Sequence, residues 1–507
     1  MNAHVRPAPA LRRPQWLLAA LLSVLAGAAG AQVFDLSPSL QTRITYSDNI
    51  RADDNDKRDG WVFEVSPGLN GGITREGARV KGRFNLGLRN LGYASDDGWR
   101  SPSLSLQANG EVEALEDFLF IEADAAIRRN NLSPFAGRSS DDFLNSSRSN
   151  ESRSYSIAPR AEFSLGAFAD AQVRYRHNWL SGGSNTLASQ RRGEWTANLN
   201  GARAFGPLGW GVTARRSDTY YSDSALEDVR QESLRANLFY TVTPQFRLRA
   251  TAGRERNDFG AGSANSNTIT GGGFDWFPTQ RTTLSATVED RFFGTGYDLS
   301  LSHRWARSAL QLGWSRDVSS SLQRFDSLFA NPDFVDAFSD PFLVSLIPDP
   351  IERQAFLSLF PQFGPESFVS NAYFVDERIR LAYSISGARN SVTFGYTQST
   401  RSRTSSTTGL LIDDIFRDSD RLETRSATLS LSHRLTPHSS LNASVARSIA
   451  ERSGGLSDRT RRLTTTFGYN TRLGHRTVGG LTYRHQRSSG ETDFSENVIS
   501  ANMNMSF

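Results

Sequence analysis

The sequence predicts an all-β fold: a single transmembrane antiparallel up-and-down β-barrel of about 22 strands, within a range of 18–24. Three observations predict it. Apolar and polar residues alternate with period two through most of the 507 residues. Short turns alternate with long polar connections. The final residues form an apolar alternation that ends on an aromatic, Phe507. Composition removes the competing classes. Only 38% of residues are hydrophobic, and a helical span needs about 20 consecutive apolar residues. The one long apolar run, Trp16 to Ala26, lies at the start of the chain. With 32 Phe, 13 Tyr and 9 Trp the chain is too aromatic for disorder. The absence of cysteine excludes disulfides, thiolate metal sites and cysteine nucleophiles.

Residues 1–31 are expected to be a cleaved signal peptide. Arg6, Arg12 and Arg13 supply its basic start, Trp16 to Ala26 its apolar stretch, and Ala29-Gly30-Ala31 a cleavage site. Taking those three arginines from the 57 basic residues leaves the mature chain, 32–507, one positive charge from balance with its 53 acids. Near-neutrality gives no support to a nucleic-acid partner.

Alternation begins at once in the mature chain. Leu36, Pro38, Leu40, Ile44 and Tyr46 alternate with Ser37, Ser39, Gln41, Arg43 and Thr45, and Trp61, Phe63, Val65 and Leu69 alternate with Glu64, Ser66 and Asn70. Leu119, Ile121, Ala123, Ala125 and Ile127 repeat the pattern against Phe120, Glu122, Asp124 and Arg128. Tight turns are expected near 75–78, 115–117, 166–167, 205–208, 243–245, 278–280, 306–308, 387–390, 436–439 and 473–476, most of them carrying Pro, Gly or Asn. Polar connections lie between them, at 51–60, 129–152, 181–193, 217–230, 257–266, 401–421 and 451–460. Turns on one side and long loops on the other give an even strand count, with both termini periplasmic. Because the first strand starts close to the mature N-terminus, no N-terminal plug is expected.

In the last strand Ile499, Ala501, Met503, Met505 and Phe507 share one face, expected to meet lipid, and Ser500, Asn502, Asn504 and Ser506 share the other. This resembles the C-terminal signal read by barrel-assembly machinery, which with outer-membrane lipid is an expected partner. The expected location is the outer membrane of a Gram-negative bacterium.

Residues 321–372 differ from every other connection. They hold Phe325, Phe329, Phe334, Phe338, Phe342, Phe356, Phe360, Phe363 and Phe368, and Ile351 to Phe360 after Pro348-Asp349-Pro350 reads as a short helix. Such an extracellular insertion could pack on itself, fold inward as a gate, or dock a partner.

Three short motifs, Tyr46-Ser47-Asp48-Asn49-Ile50, Ile347-Pro348-Asp349-Pro350 and Gly387-Ala388-Arg389-Asn390-Ser391-Val392-Thr393-Phe394, resemble the outer-membrane proteins associated with the PEP-CTERM and exosortase sorting system. The resemblance implies a non-enzymatic barrel serving, as conduit or scaffold, a surface system that exports polysaccharide or sorted proteins. It carries over no catalytic residue. A general diffusion porin and an outer-membrane hydrolase are the alternatives.

Motifs for nucleophilic, zinc or phosphate chemistry are absent from the sequence. No catalytic residue, cofactor or metal is therefore expected. His177, His303, His433, His438, His475 and His485 form no spaced cluster. The lumen face is expected to carry a basic row: Arg79, Lys81, Arg83 and Arg89, then Arg174, Arg176, Arg247, Arg249, Arg378 and Arg380. It is either a path for anions or one side of a charge ladder with Glu111, Glu113, Glu122, Asp124, Glu162 and Asp170. On the ladder reading, Lys81 and Arg83 should bridge to Glu111, Glu113 or Glu122.

Overall fold

The structure, a computed structural model, describes residues 35–507 apart from 74–76, 95–101, 132, 136–138, 140–148, 183–187, 224–225, 260–264, 324–369, 406–409, 411–413, 455–457 and 492. The signal segment 1–31, the nine phenylalanines of the insertion from Phe325 to Phe368 and the expected helix at 351–360 lie outside the described residues.

Strands follow one another in chain order. They are β1 (Asp35–Ser47), β2 (Gly60–Ile73), β3 (Val80–Tyr93), β4 (Ser103–Leu115), β5 (Leu119–Asn131), β6 (Ser149–Ser164), β7 (Asp170–Gly182) and β8 (Gln190–Phe205). Next come β9 (Leu208–Tyr221), β10 (Val229–Thr243), β11 (Phe246–Asp258), β12 (Asn265–Thr279), β13 (Thr282–Arg291), β14 (Gly294–Arg304) and β15 (Ser308–Ser319). The last seven are β16 (Phe374–Ser386), β17 (Asn390–Arg403), β18 (Arg421–Thr436), β19 (Ser439–Ser453), β20 (Asp458–Gly474), β21 (Thr477–Ser489) and β22 (Phe494–Ser506). Each pairs antiparallel with its sequence neighbours, and β22 returns to β1 from Ser39↔Ser506 to Ser47↔Val498. The sheet is therefore a closed 22-stranded barrel.

Register sorts the side chains into two faces, because residues directly opposite one another point the same way. Arg43 faces Glu64 and Ile44 faces Phe63 across β1–β2. Ile499, Ala501, Met503, Met505 and Phe507 point outward, and Ser500, Asn502, Asn504 and Ser506 point into the lumen beside Thr45, Arg43, Gln41 and Ser39. Outward apolar side chains are bare, as at Leu481 (54% exposed) and Leu429 (51%), while the lumen-facing Gln486 is 0% exposed. Bare leucines on the outside of a closed sheet are the surface that hydrocarbon covers. Two aromatic girdles border this band. Tyr46 with Trp61 and Tyr175 with Trp195, at centroid distances of 5.2 and 4.6 Å, mark the loop side. Phe168 with Trp210 (5.3 Å) and His303 with Trp305 (4.1 Å) mark the turn side.

Nine of the ten expected tight turns join described strands where the sequence places them, and the tenth, at 75–78, lies partly outside the described residues. Gly166 and Gly206 take φ of +65° and +66° there, a conformation that costs glycine nothing. Asp117 adopts φ +52° in the β4–β5 turn, where its amide donates to the Glu113 carboxylate at 2.7 Å. On the loop side the connection from β13 to β14 is a tight turn of its own, made by Phe292-Phe293 alone.

The seam between β22 and β1 ends with the Phe507 amide donating to the Pro38 carbonyl at 2.8 Å. An Asp at position 507 would put a charge on the lipid-facing edge of that seam. The Phe507→Asp variant should therefore show a several-fold drop in heat-modifiable, assembled barrel in outer-membrane fractions. Parental levels would rule out a role for this side chain in assembly.

Candidate functional site

Two features of the lumen can act on a solute: its charged wall and its extracellular mouth. The wall begins with Arg160 on β6, which reaches Glu111 at 2.8 Å, Glu122 at 3.1 Å and Glu162 at 2.5 Å. Glu122 also accepts Arg174 and stands 3.5 Å from Arg176, which lies 3.6 Å from Asp124. Glu194 continues the row, paired with Arg192 at 2.6 Å and Arg215 at 2.9 Å. On β11–β13, Asp275 takes Arg247 at 2.7 Å, Arg249 at 3.1 Å and the Ser285 hydroxyl at 2.8 Å. With its side chain 6% exposed, Asp275 stripped of these partners would cost about 3–5 kcal/mol. Arg291 joins Glu255 (2.8 Å) to Asp317 (3.3 Å), and Arg378 and Arg401 flank Asp376 at 2.5 and 3.8 Å.

The basic row thus divides. Arg174, Arg176, Arg247, Arg249 and Arg378 are held in pairs. Arg79 pairs with the turn residue Glu116 at 2.9 Å, and Arg89 with Glu64 at 3.1 Å. Lys81 and Arg83 break the ladder. Lys81 stands directly across from Glu111 in the β3–β4 register, yet among the described residues neither it nor Arg83 has a carboxylate within salt-bridge reach. The expected bridges to Glu111, Glu113 or Glu122 do not form, for a physical reason. Arg160 is a planar fork with five donors, so it captures Glu111 from two strands away and Glu122 from the neighbouring strand, where the compact ammonium of Lys81 cannot compete. Glu113 is spent on its own turn. Lys81 and Arg83 are left exposed to the lumen near its periplasmic end.

The mouth is built from loops that the sequence presented as polar. Phe135, in the connection after β5, is fully buried in one cluster with Phe374, Leu410, Ile415, Phe416, Leu422 and Ala450. Its carbonyl accepts the Thr460 hydroxyl at 3.4 Å, and the Arg452 guanidinium lies 5.1 Å above its ring. The same connection places the buried Ser139 hydroxyl between Glu496 (2.7 Å) and Arg484 (2.9 Å). Ser47 donates to the other oxygen of Glu496 at 2.8 Å. Phe135 and Ser139, in the connection after β5, are therefore pinned to the loop-side ends of β19–β22. Phe416 stacks on Phe374 at 5.5 Å, and its loop is anchored by Asp414. That carboxylate accepts from the Ser370 hydroxyl (2.8 Å) and from the amides of Asn371 (2.8 Å) and Phe416 (3.0 Å). The Ser370 amide in turn donates to Ser321 at 2.9 Å, tying the two stems of the 321–372 insertion together. The sequence did carry a signal for this cap: Leu410-Leu411-Ile412 and Ile415-Phe416 interrupt an otherwise polar stretch.

The strand histidines do not face this lumen. His177, His303, His433 and His485 lie on the outer face, where His303 meets Thr282 (2.7 Å), His433 meets Asn390 (2.5 Å) and His485 meets Asn497 (2.9 Å).

A closed 22-stranded sheet with an apolar outer band, paired aromatic girdles and a charged lumen is an outer-membrane β-barrel. No family model and no curated protein sequence matches the chain. Solved structures with a similar fold include a mutant of the ferric enterobactin receptor PfeA from Pseudomonas aeruginosa, 10% identical over 93% of this chain and 80% of that one, with a TM-score of 0.48. The siderophore receptor PirA from Acinetobacter baumannii is 9% identical over 93% and 80%, with a TM-score of 0.47. The FrpB iron transporter from Neisseria meningitidis is 11% identical over 96% and 83%, with a TM-score of 0.48. These are named as receptors and a transporter, and none is named for polysaccharide export or protein sorting. The expectation of an export conduit or scaffold in a PEP-CTERM system is corrected accordingly. Neither alternative fits better, since these structures are named neither as diffusion porins nor as hydrolases.

Two outcomes follow from this geometry. Replacing Lys81 and Arg83 together by Glu should move the reversal potential of the conducting barrel in a KCl gradient toward cation preference. An unchanged potential would mean that the pair does not line the ion path. The second outcome concerns Asp414. Burial pushes its carboxyl above the ordinary carboxylate range, against the opposing pull of its hydrogen bonds and Arg403. A raised folded-state pKa means that anchoring is strongest below the unfolded carboxyl's pKa of about 4, and is lost as pH rises through the folded value. Hydrogen exchange at Phe416, corrected for its intrinsic pH dependence, should quicken over that window. Asp414→Asn should flatten the profile, and Asp414→Ala should weaken the anchor by about 1–3 kcal/mol. A flat profile in the parent protein would refute the assignment.

Proposed function

We propose that the protein is an outer-membrane uptake barrel for an anionic ligand, closed on the outside by its own loops until the ligand engages them. The observation that carries this reading is the connection after β5, whose Phe135 is buried against Phe374, Leu422 and Ala450 of other strands and whose Ser139 is set between Arg484 and Glu496. Barrels of about 22 strands enclose a lumen wide enough to need filling, so a cap is required if the outer membrane is to remain a barrier. Among the described residues the cap is held by the hydrogen bonds of Ser139 and Asp414 and by the apolar cluster around Phe135. Its opening is therefore within reach of a ligand's differential affinity for the open state. Anionic character is supported by Lys81 and Arg83 standing without carboxylate partners among the described residues, beyond a wall already rich in arginine.

In planar bilayers the intact barrel should conduct weakly, and a variant with 133–147 replaced by a short Gly-Ser linker should conduct strongly and prefer anions. Adding ferric enterobactin, the ligand named for one of the similar structures, tests one anionic class: current through the intact barrel should rise if that class opens it. High conductance in the intact barrel, or no gain on shortening the loop, would end the gated reading. Cation preference in the opened variant would end the anionic one.

A further inference from the structure

The outer face of the barrel is not uniform at its extracellular rim. On β18–β21 six arginines point outward, namely Arg421, Arg425, Arg447, Arg459, Arg461 and Arg487, together with only two acids, Glu423 and Glu451. Arg425 is held by Glu423 at 2.5 Å and Arg459 by Glu451 at 2.6 Å. Arg447, Arg461 and Arg487 are exposed, and among the described residues none of the three has a carboxylate within salt-bridge reach. The equivalent face of β9–β10 is balanced instead, because Arg216 and Arg230 share Asp218 and Arg216 also meets Glu232.

Register places the three arginines in one patch. Arg447 and Arg487 stand abreast of Leu463 on either side, about 10 Å apart across two strand spacings. Arg461 lies two residues further out on the strand between them, between Ile449 and Ser489, about 7 Å from their level. Their height is fixed by the apolar band beneath. Leu463 is ten residues from the outward-facing Leu473 at the periplasmic turn, with Phe467 and Tyr469 bare between them. At about 3.4 Å per residue and a tilt of about 40° that spans about 26 Å, the height of a barrel's hydrocarbon band. The guanidiniums therefore sit where the outer-leaflet head groups begin.

We propose that Arg447, Arg461 and Arg487 form a binding site for the phosphorylated head group of an outer-leaflet glycolipid of the lipid A class. Charge complementarity and continuity with the lipid-covered surface select this occupant over a soluble partner. Guanidiniums bind phosphate oxygens through parallel N–H donors, and Leu463 between them lets an acyl chain pass directly beneath the head group. The site faces away from the lumen, so it is independent of the uptake reading.

The test uses the full-length barrel reconstituted in phosphatidylcholine vesicles containing lipid A, re-extracted in detergent and examined by native mass spectrometry. The parent should retain lipid A. Arg447→Ala/Arg461→Ala/Arg487→Ala should bind it about 100-fold more weakly, while Arg216→Ala/Arg230→Ala on the balanced face should match the parent. Heat-modifiable mobility on gels reports whether each variant is folded. The parent alone supplies a second readout: it should discriminate against dephosphorylated lipid A, and inorganic phosphate should not displace the bound lipid. Equal retention by the triple variant, equal retention of the dephosphorylated lipid, or displacement by free phosphate would each overturn the site.

Discussion

Everything in this molecule depends on one constraint: in hydrocarbon each backbone N–H and C=O needs a protein partner, at several kcal/mol for each one left unpaired. An open sheet fails that requirement along both of its edges. The pairing of β22 with β1 removes both edges at once, and with them the need for any covering layer. Closure then dictates the rest. The strand number must be even for both ends of the sheet to meet on the turn side, and every strand must offer one face to lipid and the other to the lumen. A single slip in register would exchange the two faces throughout a strand.

The lumen meets a second constraint, since charges there are only partly hydrated. Arginines are distributed so that each cluster of acids is shared among several guanidiniums: Glu122 with Arg160, Arg174 and Arg176, and Asp275 with Arg247 and Arg249. Shared pairing fixes the side chains and keeps the wall from collapsing inward. It also isolates Lys81 and Arg83, because the acids nearest to them are already occupied. That Lys81 and Arg83 lack carboxylate partners among the described residues is thus a consequence of competition for carboxylates, with geometry and donor number deciding which base wins.

At the extracellular end, apolar residues from loops far apart in sequence make a small core that no single connection could form. Phe135, Phe416 and Leu410 bury one another against Phe374, Leu422 and Ala450 at the lumen-facing ends of strands. Asp414 sits at the joint, accepting three donors that would otherwise be buried without acceptors. This core sits at the loop-side ends of the strands and joins separate connections. That combination suits an element that must be both closed and displaceable.

The sequence by itself determined the barrel, its strand faces and the tight turns among the described residues, because each rests on local information: a period of two, a Gly or Pro at a turn, an alternation ending at Phe507. The balance of the lumen was only half legible. Arg79, Lys81 and Arg83 announce themselves as a row, but their partners lie on other strands, and the capture of Glu111 by Arg160 needs the registers of β4, β5 and β6 together. The mouth was legible least. The Phe-rich stretch at 321–372 drew attention through composition, whereas the described cap is made by Phe135, Ser139 and Phe416, single residues in polar connections. Only the closed barrel decides that the connection after β5 meets Glu496 on β22, since closure sets β22 beside β1 and so within that connection's reach.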